Sequence, residues 1–112
     1  MSLTRSGILD SIDLPRHLVS VPEWNGDVYV RGLTAGQRDR LESVFTTGGD
    51  RTNVRALIAV MCTVDQDGNR LFTDVDIELL ADKNAKAIDR IFEAVMKVSG
   101  LSDGDVKAME GN

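Results

Sequence analysis

His17-Leu18-Val19-Ser20-Val21-Pro22-Glu23-Trp24-Asn25-Gly26-Asp27-Val28-Tyr29-Val30-Arg31 is the stretch that sets the fold class. Pro15 and Pro22 bracket its first apolar run and disfavour helix on their N-terminal sides. Val19 and Val21 alternate with Leu18 and Ser20, and a second β-rich run follows at Val28-Tyr29-Val30. Two such runs separated by a segment holding Asn25-Gly26 read as a hairpin over about residues 16–33. The other elements read as helices. The expected class is therefore α+β: one mostly α-helical domain over residues 1–112 with one N-terminal β-hairpin.

Working outward, Leu3, Ile8, Leu9 and Ile12 are spaced for a short amphipathic helix within Ser2–Asp13, weakened by about 1 kcal/mol at Gly7. Thr34-Ala35-Gly36-Gln37 has the capping-box pattern and opens a helix over about 34–45, with Leu41, Val44 and Phe45 as its stripe. Thr46-Thr47-Gly48-Gly49-Asp50 reads as a mobile loop. In the next helix, about 52–63, Val54, Leu57, Ile58, Met61 and Cys62 fall at i, i+3, i+4, i+7 and i+8, a buried face. A turn at Asp65-Gln66-Asp67-Gly68-Asn69 and a short extended piece, Arg70-Leu71-Phe72, lead to a second cap at Thr73-Asp74-Val75-Asp76 and a helix over about 74–82. Asn84 caps the longest helix, about 84–99, with Ile88, Ile91, Phe92, Val95 and Val98 or Ser99 as its stripe. Gly100 and Leu101 suit the C′ and C″ positions of a Schellman motif, and Ser102-Asp103-Gly104-Asp105 caps a last helix over about 102–109.

Composition narrows the class. The 112 residues are 42% hydrophobic and 28% charged, with a formal net charge of −5. That length buries roughly two-thirds of the surface of the unfolded chain, enough for one modest core. Disorder is disfavoured by the hydrophobic content, and no run approaches the roughly 20 apolar residues that cross a bilayer. The acidic balance disfavours nucleic acid, whose phosphates demand Lys and Arg. One Cys excludes an intrachain disulfide and fits a reducing cytoplasm, and one His leaves almost no material for a His-based metal site. Asp10 and Asp13 interrupt the N-terminal apolar stretch, so no export signal is expected.

Candidate chemistry is sparse. Cys62 has only His17 as a possible partner and lies on an apolar helix face, where a core thiol is the expected role. Aligning Gly68 with the invariant glycine of an EF-hand loop places Asp65 and Asp67 at ligand positions 3 and 5. Thr63 and Asp74 then occupy the first and last positions, where Asp and Glu are needed, and Arg70 replaces an aliphatic residue; an Asp-Gly turn accounts for the segment better. Gly48-Gly49 lacks the Lys and Ser/Thr of a phosphate loop. Asp74, Asp76, Glu78 and Asp82 sit near helix starts, where the macrodipole favours carboxylates without catalysis. No cofactor, metal ion or enzymatic centre is expected.

A partner surface is the better candidate. Trp24 at the hairpin tip, with Tyr29 and Arg31 on one face of the neighbouring strand, has the residue types of an interface anchor. The competing role for Trp24 is to fold back over Val28 or the core.

The order of segments resembles one family along nearly the whole chain. It runs from Ser2-Leu3-Thr4-Arg5-Ser6-Gly7-Ile8-Leu9 to Val21-Pro22-Glu23-Trp24-Asn25-Gly26-Asp27-Val28-Tyr29-Val30-Arg31-Gly32-Leu33. After a helix come Cys62-Thr63-Val64-Asp65-Gln66-Asp67-Gly68-Asn69-Arg70-Leu71-Phe72-Thr73-Asp74-Val75-Asp76 and Ala87-Ile88-Asp89-Arg90-Ile91-Phe92-Glu93-Ala94-Val95-Met96-Lys97-Val98-Ser99-Gly100-Leu101. This resembles the tail assembly chaperones of long, non-contractile-tailed phages and their prophages, of the HK97 type. The hairpin and the Asp67-Gly68-Asn69-Arg70-Leu71-Phe72 turn carry the likeness. The resemblance implies a non-enzymatic protein of the host cytoplasm that coats the tape measure protein, helps recruit tail tube protein, self-associates and is absent from the finished virion. It also implies a pair of products made by −1 ribosomal frameshifting, the longer one associating with the shorter. A virion structural tail or head–tail connector protein is the alternative.

If Glu110-Gly111-Asn112 is encoded GAG GGA AAC, the message contains G GGA AAC, the X XXY YYZ pattern of a −1 slippery site, and the chain is the short product. Charge is unevenly placed. Residues 1–33 hold three basic and four acidic residues, 34–63 four and three, and 64–112 six and eleven, so the last segment carries the whole −5. The near-neutral half is expected to make apolar contacts while the acidic half keeps assemblies soluble.

Overall fold

The computed structural model describes residues 1–46 and 53–101. Its elements are α1 (Arg5–Leu9), β1 (His17–Val21), a 3₁₀ turn (Pro22–Trp24), β2 (Gly26–Val30), α2 (Ala35–Thr46), α3 (Val54–Cys62), β3 (Thr63–Val64), a second 3₁₀ turn (Asp74–Asp76), α4 (Ile77–Ala81) and α5 (Ala85–Val98). The α+β class is as the sequence implies. The expected loop at 46–50, beyond Thr46, and the expected helix at 102–109 lie outside the described residues.

The hairpin pairs antiparallel without interruption from His17 with Val30 to Val21 with Gly26. Asn25 takes the left-handed conformation (φ 55°) that reverses the chain, which Asn tolerates better than most residues. The sheet is larger than a hairpin, however. Thr63 and Val64 leave α3 as β3 and pair antiparallel with Val30 and Tyr29, giving the order β1-β2-β3. The helix expected to reach residue 63 therefore ends at Cys62. Thr63 is extended there, and the Arg31 amide donates to the Cys62 carbonyl at 3.0 Å.

Two further corrections concern burial. Every residue of α3 from Ala56 to Cys62 is buried, not one face alone, because α4, α5 and the 3₁₀ turn that leads into α4 pack against it. In contrast, no residue of α1 is buried. Gly7 and the carboxylates at Asp10 and Asp13 confine it to five residues, too short to hold an apolar face against the body. The α5 stripe is Ala87, Ile88, Ile91, Phe92, Val95 and Met96, with Met96 in place of Val98 or Ser99. The segment expected to be helical from 74 begins as a 3₁₀ turn.

Local signals hold the ends. Thr34 and Gln37 form the capping box, Thr34 Oγ1 accepting from the Gln37 amide (3.0 Å) and Gln37 Oε1 from the Thr34 amide (3.1 Å). Thr73 and Asp76 repeat it. Asn84 Oδ1 accepts from the amides of Lys86 and Ala87. The Leu101 amide reaches Met96 O (3.0 Å) and the Gly100 amide Lys97 O (3.1 Å), the Schellman pair, with Gly100 at φ 76°.

Ile91 is 1% exposed at the meeting of α3 and α5. Ile91→Ala is expected to cost about 3 kcal/mol, read in urea as a lower midpoint at unchanged slope. A loss below about 1 kcal/mol would mean that α5 does not close the core.

Candidate partner-binding surface

The hairpin positions the three candidate residues differently. Trp24 ends the 3₁₀ turn at the tip, is 37% exposed and is no member of the buried core. The tip is pinned to α5. Arg90 Nε donates to Glu23 Oε1 at 2.8 Å and Arg90 Nη2 to Oε2 at 3.1 Å, a fork-to-fork pair that fixes the turn carrying Trp24. The Arg90 guanidinium holds the Glu23 carboxyl below its ordinary 4.5.

Tyr29 stands on the sheet face that also carries Leu18 and Val64, its direct neighbours on either side. Leu18 is 60% exposed and Val64 buried, so one side of Tyr29 is wet and the other dry. The Arg16 guanidinium lies 5.0 Å from the Tyr29 ring centroid, a cation–π contact that covers it. Arg31 is half-buried. Its Nε is buried without a hydrogen-bond partner among the described residues, so this side chain extends the patch less than strand alternation implies.

The other sequence candidates resolve into structural parts. Burial pushes the Cys62 thiol up to about 12, against the nearby positive charge of Arg31 and Arg70. His17 is exposed at the start of β1. Asp65 Oδ1 accepts from the amides of Asp67 (2.8 Å) and Asn69 (3.0 Å), and Gly68 sits at φ 87°. The loop is thus an Asx-type turn whose carboxylate is committed to its own backbone. Among the described residues no group of three or more His, Cys, Asp or Glu is placed to hold a metal ion. Asp74 is bound at the surface by Arg40 Nη2 (2.9 Å), which lowers its carboxyl pKa, and Arg70 Nη2 lies 3.7 Å away.

Sequence reasoning missed most of the exposed apolar surface. Leu3, Ile8, Leu9, Ile12 and Leu18 are each more than half exposed. Val75 and Leu79 form a second pair at 83% and 64%, beside a hollow of 670 Å³ walled by Val44, Leu57 and Ile77 and rimmed by Arg40, Asp74 and Glu78. The i, i+4 spacing of Val75 and Leu79 was the available signal, since Ile77 and Leu80 point elsewhere on that segment.

No protein-family model, curated protein or solved structure matches this chain. Among the described residues no helix is long and apolar enough to cross a membrane.

Two measurements check these assignments. The Glu23 carboxyl, depressed in the folded state, contributes stability above about pH 4.5 that is lost as pH falls through its folded pKa. The stability gap between wild type and Arg90→Ala should therefore narrow from neutral pH to the far side of that titration; an equal gap at both would refute the pairing. Cys62, whose thiol form burial favours, should react with a thiol reagent at mildly alkaline pH only after denaturant is added. Rapid labelling of the native chain is the contrary result.

Proposed function

We propose that this chain is a non-enzymatic assembly chaperone of a phage tail, which keeps the tape measure protein soluble by covering its apolar surface and assists addition of tail tube protein. The observation that carries the reading is the order of segments from Ser2 to Leu101 that resembles such chaperones. The exposed apolar side chains support it. A protein that shields another from aggregation needs contact surface its own core does not use, and ten large hydrophobic residues among those described are exposed. Leu3, Ile8, Leu9, Ile12, Leu18 and Trp24 all belong to the near-neutral first third, where the three basic and four acidic residues of 1–33 leave little net charge to oppose such contacts. In the proposed reading the chain acts in the host cytoplasm, self-associates, pairs with a frameshift-extended form and leaves before the virion is complete.

Co-expression with the tape measure protein of the same gene cluster tests this. The expected result is a soluble complex whose affinity falls at least about tenfold in Trp24→Ala, the size of loss typical of a buried aromatic anchor. A tape measure protein left insoluble, or this chain recovered at stoichiometric level in purified particles, would overturn the proposal; the second result would make it a structural tail or connector protein.

A further inference from the structure

The strand order β1-β2-β3 gives β1 one backbone edge with which no described element pairs. Folded proteins guard such edges with charges, prolines or bulges. His17-Leu18-Val19-Ser20-Val21 has no Lys, Arg, Asp, Glu or Pro, and its register with β2 is unbroken over all five pairs. Leu18 stands exposed on its outer face. The 16 residues ahead of β1 add to this surface. They contribute no buried side chain, and they carry Leu3, Ile8, Leu9 and Ile12, each more than half exposed. A five-residue helix is far below the roughly 12–15 residues at which an isolated helix holds in water, so α1 fits a support that its own body does not provide.

We propose that β1 is the interface for a second copy of this chain, the two β1 strands pairing antiparallel about a two-fold axis at Val19 to give one six-stranded sheet. A second copy fits the strand's own sequence as the occupant. The two-fold axis sets Val19 opposite Val19, Leu18 opposite Ser20, and His17 opposite Val21 of the other copy. No like charges meet in that register, and Val19, which packs against the core from β1, meets Val19 of the other copy at the axis. Antiparallel pairing also fixes where the preceding segment goes. It carries each copy's residues 1–16 past Val21 toward the other copy's Pro22–Trp24 turn. Strand and arm together offer five large exposed aliphatic side chains, which suits the roughly 800 Å² that each partner of a stable pair contributes.

This deepens the self-association within the proposed function, but it is tested on the purified full chain alone, so loss of the pair and loss of tape measure binding are separate results. Sedimentation velocity at tens of micromolar protein in physiological salt should give a dimer. Leu18→Lys puts a charge on the exposed face of the edge and should weaken association at least about tenfold with the far-UV circular dichroism unchanged. Ser20→Lys, at the other exposed position of the same face, should do the same, so the test does not depend on one variant folding. A monomeric wild type overturns the proposal, as does an oligomer that neither lysine variant weakens. A monomer in which Leu18→Lys abolishes capture of the tape measure protein would also overturn it, by assigning the edge to that partner.

Discussion

Seven consecutive residues of α3, Ala56 to Cys62, are buried, and the rest of the fold answers that constraint. A helix that is apolar all round cannot rest on one surface; it must be enclosed. Packing against α4 and α5 covers part of it. Its last residue passes into β3, so the end of the buried helix is also the start of an edge strand. That junction brings the Cys62 carbonyl to the Arg31 amide and ties the hairpin to the helical core through backbone alone.

Two side chains extend this tie. Gln37 closes the cap of α2 and donates through Nε2 to the Met61 carbonyl at 3.2 Å, using one residue for a local and a tertiary contact. Ser99, just past α5, accepts from the Leu33 amide at 3.0 Å where the chain leaves the hairpin. A β-carbon at Gly32 would lie 3.4 Å from both Ser99 Oγ and the Val98 carbonyl, so the closeness of the hairpin exit to α5 favours a small residue there. The far end of the hairpin is held to α5 by Glu23 and Arg90. The sheet is therefore anchored at its tip and its exit, while no described residue pairs with the outer edge of β1.

Such anchoring bears on the surface that could bind a partner. Fixing the turn through Glu23 presents Trp24 with little further ordering to be done on binding. β1 itself keeps an unbroken register with β2 over all five pairs. Around these features lie apolar side chains that the core does not use, and in the proposed reading that surplus is what a chaperone needs. Acidic residues concentrated beyond residue 64 would keep an assembly of such chains dispersed.

Much of the fold was legible in the sequence because its signals act over a few residues. Thr34 with Gln37, Thr73 with Asp76, Asn84 with its first-turn amides, Gly100 with Leu101, the Asp65–Asn69 turn and the Asn25 reversal each follow from a hydrogen bond or a torsion available to a short peptide. Trp24, Tyr29 and Arg31 could be picked out by type, but not their different degrees of cover, which depend on Arg90, Arg16 and the Cys62 junction, the first more than sixty residues away. β3 escaped notice because two residues at the end of a helical pattern carry no period of their own. Its presence decides that β2 is central and β1 an edge. Burial escaped in the same way: Ile8 and Ile12 have helical spacing, as does Ile91, yet only Ile91 meets a core. Spacing determines which face of a segment is apolar; only the packing of distant segments determines whether that face is covered, because the free energy of burial lies in contacts the local chain cannot make with itself.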